Sequence, residues 1–192
     1  MKFYELDLPP QYVELAHVRF DDVKTGFLYD LKAVLPGILL TIIGWIIVRS
    51  TIAQVLISLV IFAVSIYPYF SLHEIVHGVV IKVMTGQRVE IGFNKSGAYC
   101  GMPELYMYRP VAVCCTAAPL IVFSVLFGIG TIILIAANHW MFLPLGLMLT
   151  LHLLGCRSDV NLLKEIGKYN DSSLLIKDTG AEQWFYSLRK EG

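Results

Sequence analysis

Long apolar blocks separated by shorter polar intervals dominate the chain. Ala33–Val48, Ser50–Leu72 and the run from Val111 to Cys156 contain no Asp, Glu, Lys or Arg. A bilayer core takes about 20 apolar residues per helix. The third run is long enough for two helices, and Asn138-His139-Trp140 supplies the polar groups and interfacial aromatic that divide it. The pattern predicts spans over 32–49, 51–72 with helical continuation to Met84, 111–137 and 141–158. Gly86 reads as a helix stop. Val89–Phe93, a turn at Asn94–Gly97 and Ala98–Cys100 then predict a short β-hairpin. Beyond Glu165 the chain is polar, with Trp184-Phe185-Tyr186 expected to pack or to contact headgroups as an interfacial anchor. The expected architecture is an all-α integral membrane protein of four transmembrane helices with a short cytoplasmic-side β-hairpin between spans 2 and 3. It comprises an N-terminal cytoplasmic segment over 1–31, a membrane domain over 32–164 and a C-terminal cytoplasmic tail over 165–192.

Composition sharpens this picture. Of the 192 residues, 56% are hydrophobic and 16% charged, against about 45–50% and 25% in soluble domains. Mean hydropathy is +0.66. A soluble enzyme is excluded, and lipid is the expected partner. Fifteen basic residues balance fifteen acidic ones, so no nucleic-acid partner is expected. With the basic residues at span ends counted with the adjoining intervals (Lys32, Arg49 and Arg157), the five intervals hold 4, 1, 4, 0 and 6 of them. That alternation fits a multi-pass protein of the cell membrane with both termini cytoplasmic. No early apolar stretch resembles a cleavable signal peptide. Cys100, Cys114, Cys115 and Cys156 include no Cys-x-x-Cys pair and are expected as unbridged core residues.

Chemistry concentrates in His73-Glu74-Ile75-Val76-His77. Residues four apart on a helix lie one above the other, so both imidazoles reach one zinc ion. Glu74 is placed to take a proton from zinc-activated water. An ionisable cluster directly continuing a membrane span is costly unless it is paired or wet. Catalytic zinc usually has a third protein ligand, and three carboxylates are available: Asp159, Glu90 and Glu104. Depth favours Asp159. His73 lies roughly 30 Å along the second span and Asp159 roughly 27 Å along the fourth, at 1.5 Å per residue, and both spans start at the outer face. His152, seven residues before Asp159 on the same face, is expected to line a wet cavity or bond a backbone carbonyl. Pro68 is expected to kink the second span, and Pro119 to open the third.

With these residues in place the chain resembles the putative zincin peptidase membrane family, which is related to the intramembrane metalloproteases of the site-2 protease type. The resemblance rests on His73-Glu74-Ile75-Val76-His77-Gly78, Ile91-Gly92-Phe93, Ala98-Tyr99-Cys100, Ala117-Ala118-Pro119 and Ser158-Asp159. It implies Zn2+ held by His73, His77 and Asp159, with Glu74 as the catalytic base. It departs from the site-2 pattern where Val160 follows Asp159 and where no Asn precedes Pro119 at the spacing of that pattern. The expected function is a membrane-embedded zinc metallopeptidase hydrolysing peptide bonds near the cytoplasmic face, with a protein or peptide substrate, membrane-anchored or free. The alternatives are a non-catalytic zinc-binding membrane scaffold or regulator, which has no need of Glu74, and a transporter, which needs a site reachable from both faces.

Overall fold

The described residues form five helices, of which the first four carry the apolar blocks: α1 (Phe27–Val48), α2 (Ile52–Thr85), α3 (Arg109–Ala136), α4 (Phe142–Gly155) and α5 (Arg157–Gly167). The computed structural model describes residues 3–19, 27–87, 89–94, 97–101, 104–179 and 182–189. Helix boundaries follow local chemistry. Thr51 and Gln54 cap α2 reciprocally: Gln54 Oε1 accepts from the Thr51 amide at 2.8 Å, and Thr51 Oγ1 accepts from the Gln54 amide at 3.3 Å. Gly86, at φ +74°, ends the same helix. Among the described helices α1, α2 and α3 are long and apolar enough to cross a membrane, the mark of a membrane protein.

The expected span over 141–158 differs from what is observed. Helix α4 has 14 residues, about 21 Å of helix against a hydrocarbon core of about 30 Å. Cys156 leaves the helical path at φ −72°, ψ 11°, and α5 begins at Arg157 as a separate helix. The break follows composition, because α5 is polar except for the stripe that buries Leu162 and Ile166. Asp159 therefore lies in the first turn of α5 and not on the fourth span.

The chain divides into two compact units, one of Thr25–Phe70 and Pro119–Arg157, the other of Met1–Lys24, Ser71–Ala118 and Ser158–Gly192. In the first unit small residues let α1 and α4 approach closely. A Cβ on Gly37 would lie 2.5 Å from Thr150 Oγ1 and 2.9 Å from its Cα, and one on Gly146 would collide with Thr41 Oγ1. Hydroxyls in these apolar helices are satisfied by the preceding turn: Thr41 donates to the Gly37 carbonyl, Thr150 to that of Gly146 and Thr131 to that of Phe127. His152 is buried here. Its Nε2–H donates to the Leu120 carbonyl at 3.3 Å, and its Nδ1 accepts from the Tyr69 hydroxyl at 2.8 Å. Because the Thr150 backbone cannot yield, Gly37→Ala is expected to destabilise the protein by about 1–3 kcal/mol through overpacking. A lowered unfolding midpoint in detergent checks this.

The second unit contains what the hydrophobic pattern did not predict. An antiparallel sheet in the order β1-β5-β6-β7-β2 joins β1 (Tyr4–Glu5), β2 (Tyr12–Arg19), β5 (Tyr106–Tyr108), β6 (Leu175–Asp178) and β7 (Glu182–Leu188). The all-α expectation is corrected accordingly: the protein is mostly helical, with a five-stranded sheet built from both polar ends and the middle segment. Alternation along the strands explains it. Met107, Ile176 and Phe185 stand opposite one another across β5, β6 and β7 and are buried. Of the two roles expected for Trp184, packing or headgroup contact, packing is seen: it stacks on His17 with ring centroids 4.6 Å apart. Glu14 pairs with Tyr186 and Ala16 with Phe185, so a bulge falls between them. Burial and the hydrogen bond donated to Glu5 at 3.0 Å push the Tyr108 phenol well above its ordinary value, so it stays a donor linking β5 to β1.

The expected hairpin is present as a separate two-stranded sheet of β3 (Glu90–Asn94) and β4 (Gly97–Gly101), with Asn94 paired to Gly97. The buried face of the five-stranded sheet packs on the end of α2 through Ile81, the start of α3 through Val111, Ala112 and Cys115, and α5 through Leu162 and Ile166. One core thus sets the register of the three helical segments that carry the site.

Candidate metal centre

His73 and His77 occupy successive turns of α2, with ring centroids 5.0 Å apart and planes inclined at 75°. From α5 the Asp159 carboxylate reaches both. Its Oδ2 lies 3.3 Å from His73 Nε2, and its Oδ1 lies 3.6 Å from His77 Nε2. The three side chains are only 9%, 13% and 12% exposed. One potential ligand atom from each falls within 4.8 Å of the others.

The second nitrogen of His77 is fixed. Its Nδ1 lies 2.9 Å from the Cys115 carbonyl on α3. A carbonyl only accepts, so Nδ1 carries a proton, and Nε2, on the side of Asp159, is the nitrogen left for a metal. A ligating histidine is usually held in this way, with the outer hydrogen bond setting tautomer and ring angle. The Cys115 thiol adds a weak donor contact to the His77 carbonyl at 3.8 Å.

A group of two imidazoles and a carboxylate suits zinc, and two observations test the fit. Ligands bound at about 2.0–2.2 Å in a tetrahedral arrangement lie roughly 3.4 Å apart, close to the 3.3 and 3.6 Å separations seen. Asp159 Oδ2 is also buried without a hydrogen-bond partner among the described residues. A buried, unsatisfied carboxylate oxygen is costly, and a cation between it and the imidazoles removes that cost. The residues fit the ion.

Glu74 follows His73 directly on α2 and is half-buried, one residue round the helix from the ligand face. Of the other carboxylates weighed as ligands, Glu104 is exposed in a turn, and the side chain of Glu90 lies outside the described residues. The Cys115 carbonyl escaped sequence reasoning, which treated Cys115 as a core residue. No residue-type pattern marks it, because the functional atom belongs to the backbone. Cys114, Cys115 and Cys156 form no disulfide.

Among comparisons with known proteins, a family model described as putative zincin peptidase matches residues 66–174, more than half of the chain. Neither a curated protein nor a solved structure matches it. The match covers α3, α4 and α5, all of α2 from Ile66 onward, and every residue of the centre just described.

Proposed function

Because the chain belongs to the putative zincin peptidase family, which implies zinc, we propose that it is a membrane-embedded metallopeptidase whose ion is held by His73, His77 and Asp159. The observation that carries this reading is the convergence of Asp159 from α5 on the two helix-borne imidazoles, with Oδ2 buried and lacking a hydrogen-bond partner among the described residues. Bound there, zinc supplies Lewis acidity, making water acidic near pH 7 and polarising a scissile carbonyl. The remaining work falls to the chain. Glu74 accepts the proton from the attacking water and returns it to the departing amine, so that the amine leaves neutral. Cys115 holds His77 through the attack, and the low exposure of the three ligands keeps bulk water from competing with their contacts.

Protein or peptide chains are the substrates on this reading, including segments anchored in the bilayer, as in site-2 type intramembrane proteolysis. Helices α1, α2 and α3 cross the membrane and α4 serves as a short fourth span, with both termini cytoplasmic. The count of basic residues in the intervals supports that orientation. Helix α2 is about 50 Å long at 1.5 Å per residue, so its second half, which carries the His pair, reaches the cytoplasmic interface.

The test is hydrolysis of a mixed peptide library by the purified protein in proteoliposomes. Activity is expected to vanish with a zinc chelator and to return with stoichiometric zinc. Cleavage that persists after complete metal removal overturns the reading.

A further inference from the structure

A carbonyl within an α-helix normally accepts from the amide four residues further on. For Cys115 that amide would belong to residue 119, and residue 119 is proline, which has none. Helix α3 nevertheless runs unbroken from Arg109 to Ala136 with Pro119 inside it. The carbonyl that loses its intrahelical donor is the same one that accepts from His77 Nδ1 at 2.9 Å. A pyrrolidine ring also crowds the carbonyl four residues back and tilts it away from the helix axis. Both effects favour a donor that approaches from the side.

We propose that Pro119 is a positioning residue for the metal centre: by withholding its amide it dedicates the Cys115 carbonyl to His77 and fixes the tautomer whose Nε2 is open to a metal. A neutral imidazole carries its proton on either nitrogen, and one choice aims an N–H at the ligand position. An acceptor reserved for Nδ1–H removes that choice. Proline does this without placing another polar side chain in an apolar helix, where each such group is costly. Sequence reading suggested only that Pro119 opens the third span. The geometry gives it a definite task, one turn away from the acceptor it releases. The other prolines inside long helices, Pro36 and Pro68, withhold amides from Lys32 and Val64. His77 Nδ1 bonds to the carbonyl freed by Pro119 and not to either of these.

The inference rests on the zinc reading for the identity of the ligand, but the tautomer is a property of the metal-free protein. Pro119→Ala restores an amide that competes for the Cys115 carbonyl. In full-length, metal-free protein in detergent, nitrogen-15 spectra of labelled histidine are expected to show His77 as the Nδ1–H tautomer in wild type and as a mixture in Pro119→Ala. Zinc affinity, read by competition with a chromophoric chelator, is expected to fall by about tenfold, the lower end of the effect of losing such an outer partner. Pro36→Ala is the control and should change neither. Replacing Pro119 by lactic acid leaves an ester, which has no amide hydrogen and no ring. It is expected to keep the wild-type tautomer and affinity, and it tests the proposal even if Pro119→Ala does not fold. An unchanged His77 signal in Pro119→Ala overturns the proposal. So does a lactate variant with a mixed tautomer, which would assign the effect to packing of the ring. If wild-type protein binds no zinc, the metallopeptidase reading fails while the nitrogen-15 result still decides the role of Pro119.

Discussion

Glu74→Gln is expected to retain zinc at the wild-type level and to lower peptide hydrolysis by about 10²–10⁴-fold, the usual contribution of a positioned general base. Gln keeps the size and polarity of the half-buried side chain but cannot accept a proton at neutral pH. The two ligands of α2, His73 and His77, remain on their own turns, so metal content should not move. Zinc analysis of the purified variant beside its hydrolysis rate checks both halves. A variant with full zinc and full activity would remove Glu74 from the reaction. If no hydrolysis is found in wild type either, and the variant is equally stable and equally loaded, the protein is a zinc-bearing scaffold.

Asp159→Ala is expected to lower zinc affinity by more than about 100-fold, beyond the range typical of losing a supporting partner. His77→Ala should do the same. Asp159 brings a carboxylate against both imidazoles at 3.3 and 3.6 Å, so its removal leaves two neutral ligands and less compensation for the ion's charge. Two ligands seldom hold catalytic zinc, which typically has three from the protein. Metal content by plasma emission in wild type and the two variants provides the measurement. Loss in His77→Ala with retention in Asp159→Ala would move the third ligand to Glu90 or Glu104. Equal retention in both would disconnect zinc from this centre.

Asp159 illustrates how a sequence argument and a structure reach one residue by different routes. Depth along an unbroken fourth span nominated it, yet α4 stops at Gly155 and Asp159 stands on α5. What brings it to the histidines is the burial of Leu162 and Ile166 beneath the sheet, in the core that also takes Ile81 from α2 and Cys115 from α3. The sheet itself was hard to read. Strand β1 has two residues and β6 has four, too few for a period-two signal to stand out. Strand β2 finds its partner in β7, where Tyr12 faces Leu188, and nothing local in either segment names the other. Trp184-Phe185-Tyr186 invited a membrane reading because its aromatics are adjacent, but a strand sends neighbours to opposite faces. Phe185 goes into the core and Trp184 goes to His17.

Features set within one short stretch of chain were legible from residue order alone. These include the apolar helices, the stop at Gly86, the hairpin at Asn94–Gly97 and the stacking of His73 over His77, because helix and turn geometry relate residues a few positions apart. The conjunction of α2, α3 and α5 was decided by tertiary structure. Burial of a shared apolar core fixes contacts between segments distant in the chain, and it alone places the Asp159 carboxylate and the Cys115 carbonyl against the two imidazoles.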